Sequence, residues 1–86
     1  MEQIQRLKSI IDRLRSPGGC PWDLEQTRES LRPFLLEEAH EVSEAILHGD
    51  PQKDCEELGD LLMNIFLQAR VAEEQTAATL ANISEQ

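Results

Sequence analysis

Apolar residues recur at intervals of three and four along most of this chain, and short polar, glycine- and proline-containing breaks separate the runs. Ile4, Leu7, Ile10, Ile11 and Leu14 share one face if residues 2–15 form a helix. Ser16, Pro17, Gly18 and Gly19 end that pattern, and GGCPWDLEQT reads as a structured loop from its turn residues, with Trp22 expected to plug the open end of a helical bundle. Thr27 can cap a turn. Pro33 then fits either the first turn of a main helix running to about His48 or a kink within one longer helix. Gly49 stops that helix, and Asp50 followed by Pro51 is an N-cap with proline at the first helical position, so a third helix should run to about Glu74. Thr76 or Thr79 opens a short fourth.

Acids interrupt these apolar faces. At about 100° per residue, Leu31, Phe34, Leu35, Ala39, Val42, Ala45 and Ile46 fall on one arc, with Glu38 in its middle and Glu41 at its edge. In the next helix Leu58, Leu61, Leu62, Ile65, Ala69 and Ala72 form the stripe, bordered by a polar strip of Glu57, Asp60, Asn64 and Gln68. Packing the two helices antiparallel would gather four carboxylates, Glu38, Glu41, Glu57 and Asp60. Such a group repels itself and is costly to desolvate unless something neutralises it. Oxygen donors without a matching thiolate or imidazole set suit Mg²⁺ or Mn²⁺, and Mg²⁺ commonly shares itself with substrate phosphates. A single ExxE or ExxD spacing is ordinary on a solvated helix face; the reading rests on two of them, with Glu38 inside an apolar arc.

Composition narrows the classes. Eighty-six residues make one small domain, 1–86, near the size at which a single core supplies little net stability, and self-association into a dimer or tetramer is expected. Trp22, Phe34 and Phe66 are the only aromatic residues, so the core should be aliphatic and helical. The 17 acids against 8 bases, net charge −9, argue against nucleic acid or an anionic membrane as a partner. No apolar run is long enough to span a bilayer and MEQIQRLKS lacks a signal-peptide core, so the expected location is the cytoplasm. Cys20 and Cys55 are isolated and add no zinc spacing to His40 and His48. Glu37 and His40 spell the ExxH of di-iron bundles, but the second cluster offers Asp60 where the second histidine belongs, and both residues point away from the arc. Neither a GxxxxGK[ST] phosphate loop nor a GxSxG elbow is present.

GCPWDLEQT, then LLEEAHEVSEAI, then CEELGDLL together resemble the MazG family of nucleoside triphosphate pyrophosphohydrolases, with EExxE and ExxD separated by 15 residues between Glu41 and Glu57. The resemblance runs from Ile4 to about Glu74. It implies an all-α fold of three main helices plus a short C-terminal helix, assembled as an intertwined homodimer or a tetramer. It further implies Mg²⁺-dependent hydrolysis of a nucleoside triphosphate to the monophosphate and pyrophosphate, in a house-cleaning role on noncanonical or excess nucleotides. Glu38, Glu41, Glu57 and Asp60 match the family's metal ligands, and Glu37 matches its leading glutamate, as a ligand, a supporting acid or a water-orienting group. Trp22, Asp23, Gln26 and Asn64 are placed near the nucleotide. Family members continue with a further helix carrying a lysine and arginines toward the phosphates. This chain ends at Gln86, which leaves Lys53, Arg28, Arg32 and Arg70 as candidates for that charge. The alternatives are a truncated relative that binds nucleotide and metal without turnover, and an acidic helical protein whose carboxylates are merely solvated.

Overall fold

The computed structural model describes residues 1–76. Four helices follow one another: α1 (Glu2–Leu14), α2 (Pro21–Glu25), α3 (Arg28–His48) and α4 (Pro51–Thr76), with no strand among the described residues. The short fourth helix expected from Thr76 or Thr79 lies outside them.

Helix ends follow local chemistry. Gly49 ends α3 in the left-handed region, φ 70°, where a side chain would be strained, and its N–H donates to the Ala45 carbonyl. The Asp50 carboxylate then accepts from the backbone N–H groups of Gln52 and Lys53 at 3.1 and 3.3 Å, starting α4 immediately. A link of two residues forces α3 and α4 antiparallel, and they pack against each other while α1 packs on α4.

The start of α3 settles the alternatives around Pro33. Thr27 and Ser30 form a reciprocal capping box at 3.0 and 2.8 Å, so the helix begins at Arg28 and runs through Pro33 without a break. The turn ahead of the proline survives because it is capped at one end and anchored by Leu31, which is fully buried. The expected loop before Thr27 contains the five-residue α2. Cys20 is extended, as a residue before proline prefers, and Pro21 takes the first helical position.

Ile11, Leu31, Leu67 and Val71 form the core, with Leu7, Met63 and Phe66 packed against it; Val42 and Ala45 are buried nearer the α3–α4 turn. This corrects part of the apolar stripe expected on α4: Ala72 is buried and Leu61, Leu62 and Ala69 are half-buried, but Leu58 and Ile65 are about half exposed, and the buried face also carries Glu57, Leu67 and Val71. On α3, likewise, Phe34, Ala39 and Ile46 of the expected arc are exposed. Apolar residues occupy more of each helix circumference than one neighbour can cover in so short a chain. Trp22 does not plug the bundle; it is half exposed and meets Phe34 edge-on, ring centres 5.7 Å apart. No described helix is long and apolar enough to cross a membrane.

Candidate functional site

Because α3 and α4 are antiparallel, the polar strip expected on α4 lies along their seam. Glu38 of α3 and Glu57 and Asp60 of α4 each bring a carboxylate oxygen within 4.8 Å of the other two. Glu57 is buried, Glu38 half-buried and Asp60 exposed, so the cluster opens to solvent on one side. The Glu38 Oε2 atom is buried without a hydrogen-bond partner. Desolvation raises the pKa of Glu38, and the neighbouring Glu57 carboxylate and the charges of Asp60 and Glu37 raise it further. A carboxylate in the middle of an apolar arc is thus held where ionisation is disfavoured.

Among the described residues, one basic side chain touches this group. Lys53 Nζ lies 3.0 Å from Glu57 Oε1, and that contact, with the charges of Glu57, Glu56 and Glu41, keeps the lysine protonated above its ordinary pKa. Half-buried Glu41 is not one of the three converging carboxylates; its charge reaches Lys53. Glu37 is exposed beside the cluster. His40 is exposed and lies 3.8 Å from Glu44, which is not one of the three converging acids. Asn64 donates to the Asp60 backbone carbonyl at 3.0 Å, one turn beyond the cluster. Three convergent oxygen donors, an orphaned buried oxygen and a single lysine for compensation fit a hard divalent cation such as Mg²⁺ or Mn²⁺.

The same seam continues into a groove of about 500 Å³ lined by Arg28, Glu29, Arg32, Leu35, Ile65 and Gln68. Arg28 and Gln68 clasp each other across it: Arg28 Nε donates to Gln68 Oε1, and Gln68 Nε2 donates to the Arg28 carbonyl, both at 3.0 Å. Two arginines, with Glu29 between them, thus line the α3 side of this groove. Arg70, among the candidates for meeting phosphate, is committed elsewhere, to Asp12 at 2.6 Å and Glu74 at 3.0 Å.

Of the loop residues, Gln26 donates to the Trp22 carbonyl at 2.9 Å and accepts from Ser30 Oγ at 2.8 Å. Asp23 is buried, and its backbone carbonyl accepts from Arg15. Periodicity gives no hint of Arg15 or of its partner Glu74, because they lie 59 residues apart and each sits on an unremarkable polar face. The Arg28–Gln68 clasp is hidden for the same reason; a charged residue just before SPGG is the only local sign that Arg15 has work to do.

A family model described as the MazG nucleotide pyrophosphohydrolase domain matches residues 26–86. The chain is 44% identical over 79 residues to a Thermotoga maritima protein named nucleoside triphosphate pyrophosphohydrolase/pyrophosphatase MazG, covering 92% of this chain and 31% of that one. It is 47% identical over 76 residues to the Escherichia coli nucleoside triphosphate pyrophosphohydrolase, covering 87% and 29%, and 38% identical over 86 residues to that of Mycobacterium tuberculosis, covering 98% and 26%. The chain thus spans less than a third of the length of these curated relatives.

Proposed function

Because the chain belongs to the MazG nucleotide pyrophosphohydrolase family, we propose that it hydrolyses nucleoside triphosphates to the monophosphate and pyrophosphate at the α3–α4 acid cluster. The observation that carries this reading is the convergence of Glu38, Glu57 and Asp60, with a buried, unpartnered oxygen on Glu38. The substrate class comes from the names of the relatives.

Glu38, Glu57 and Asp60 would hold Mg²⁺, or Mn²⁺ in its place, with Glu41 completing the set from the next turn of α3. The bound cation would offset the charge that develops on the phosphate oxygens in the transition state. The protein's own groups do the rest. Glu37, exposed beside the cluster, orients a water toward phosphorus. Arg28 and Arg32 in the adjoining groove, with Lys53 on the other side, balance the polyphosphate, while Trp22, Asp23, Gln26 and Asn64 border the nucleotide. With net charge −9, the protein needs such local cations, because its overall field repels an anionic substrate.

The active assembly in this reading is a homo-oligomer, in which Leu58, Ile65 and the other exposed apolar residues of α3 and α4 are covered by another copy. The biological role is removal of noncanonical or excess nucleotides in the cytoplasm. Pyrophosphate release from a panel of canonical and noncanonical triphosphates, with and without Mg²⁺, tests the reaction and the site together. Release should require the metal and fall about a hundredfold in Asp60→Asn, since even residues that only support metal ligands cost about ten- to a hundredfold. Unchanged release by the variant would move the chemistry away from this cluster, and no release from any triphosphate would overturn the activity.

A further inference from the structure

Arg15, the residue that closes α1, is buried, with its side chain only 6% exposed. Its Nε and Nη2 grip the Glu74 carboxylate at 3.1 and 2.5 Å, and its Nη1 donates to the carbonyls of Asp23 and, at 3.0 Å, Gln26. An ion pair alone would need only Glu74. The two carbonyls belong to the C-terminal end of α2, where a cation is favoured; that of Asp23 also accepts from the Gln26 N–H at 3.3 Å. A five-residue helix has no stability of its own, so its placement depends on such external bonds.

The backbone ahead of α2 is held to the same place. Cys20 N–H donates to the Leu14 carbonyl at 3.1 Å, and Gly19 runs so close that a Cβ there would lie 2.4 Å from the Leu14 carbonyl oxygen. So anchored, α2 presents Trp22 edge-on to Phe34 of α3 and leaves half of the indole in solvent. Phe34 precedes Glu38 by four residues, or about 6 Å along the helix axis. The chain of contacts therefore leads from Arg15 to Trp22 and ends one helical turn from the acid cluster.

We propose that Arg15 is a positioning residue: by capping α2 it holds Trp22 at the border of the acid site, where the open part of the indole stacks on the base of the triphosphate. This rests on the function proposed above. Trp22 is the only tryptophan, so its emission reports the placement of α2 directly.

The test is Arg15→Lys, which keeps the charge opposite Glu74 but loses the guanidinium fork that serves both carbonyls at once. Glu74→Gln, which keeps the carbonyl bonds but loosens the anchor, is the second variant should Arg15→Lys fail to fold. In Arg15→Lys, Trp22 emission should shift to the red and KM for the triphosphate turned over fastest should rise about tenfold with kcat nearly unchanged, as expected for loss of one stacking contact. The Mg²⁺-induced rise in Tm should persist, because the acid cluster is intact. In Glu74→Gln the same changes should appear, but smaller. Unchanged emission and KM would overturn the proposal, as would parallel loss of kcat and of the Mg²⁺ effect, which would make Arg15 a purely structural residue. If the wild-type chain hydrolyses no triphosphate, the proposed function fails by itself, and the emission of Arg15→Lys still decides the clamp: without a red shift it is wrong.

Discussion

Two groups of charges lie on α4, and they are built in opposite ways. At its N-terminal half Glu57 and Asp60 meet Glu38, three acids with, among the described residues, Lys53 as the one base touching them. At its C-terminal half Asp12, Arg70, Glu74 and Arg15 alternate in sign at 2.5 to 3.0 Å. The pKa directions follow. Burial raises Glu38, and its acidic neighbours add to the effect. The Arg15 hydrogen bond lowers Glu74 against its partial burial; for Asp12, partial burial is outweighed by the bonds from Arg70 and Lys8. One cluster is satisfied within the chain and holds helices together. The other crowds like charges and keeps one buried carboxylate oxygen, Glu38 Oε2, without a hydrogen-bond partner.

Substitutions break that comparison most sharply. Glu38→Gln should abolish most Mg²⁺-dependent pyrophosphate release, a loss of at least about a hundredfold, yet raise metal-free stability by about 1 kcal/mol. Arg15→Met should do the reverse to stability, lowering it by about 2 kcal/mol, because Glu74 keeps only Arg70 and the Gln26 carbonyl loses the guanidinium bond. Denaturant melts in EDTA, paired with activity assays, check both; stability changes of the same sign would erase the distinction between the clusters.

Metal should act on one cluster alone. Mg²⁺ at about a hundred times its Kd stabilises a folded protein by about 2.7 kcal/mol, which for a domain of this size is about 10 °C or more in Tm. The rise should vanish in Glu57→Gln and survive in Glu74→Gln, and thermal melts over a Mg²⁺ titration would show it.

The smallest effect is that of pH on the metal-free protein. Glu38 has a raised folded pKa, so its contribution to stability is complete below the ordinary glutamate value and is lost as pH rises through the folded value. Glu74 and Asp12 have lowered values, so theirs is present above the ordinary carboxylate range and is lost as pH falls through the folded values. Stability in EDTA should therefore increase on mild acidification from neutrality and decline below about pH 4. Mg²⁺ should flatten the first limb only. A profile that falls monotonically from neutrality would mean that Glu38 is not strained.

Much of this was legible without coordinates. Helix ends at Thr27, Gly49, Asp50 and Pro51 are local matters of capping and left-handed backbone, and the structure has them where such residues belong. Glu38 in an apolar arc and the ExxD of Glu57 and Asp60 announced the acid cluster, because helical periodicity projects straight into which residues can face a neighbour. The tertiary structure alone decided the rest. It chose which side of α4 turns inward, leaving Leu58 and Ile65 outside, because competing apolar faces on one helix are resolved only by packing. It carried the helix through Pro33, because burial of Leu31 anchors the turn before it. And it joined Arg15 to Asp23, Gln26 and Glu74, because a long buried guanidinium collects partners from the end of α2 and from α4 at once, and no local pattern records contacts made at that distance.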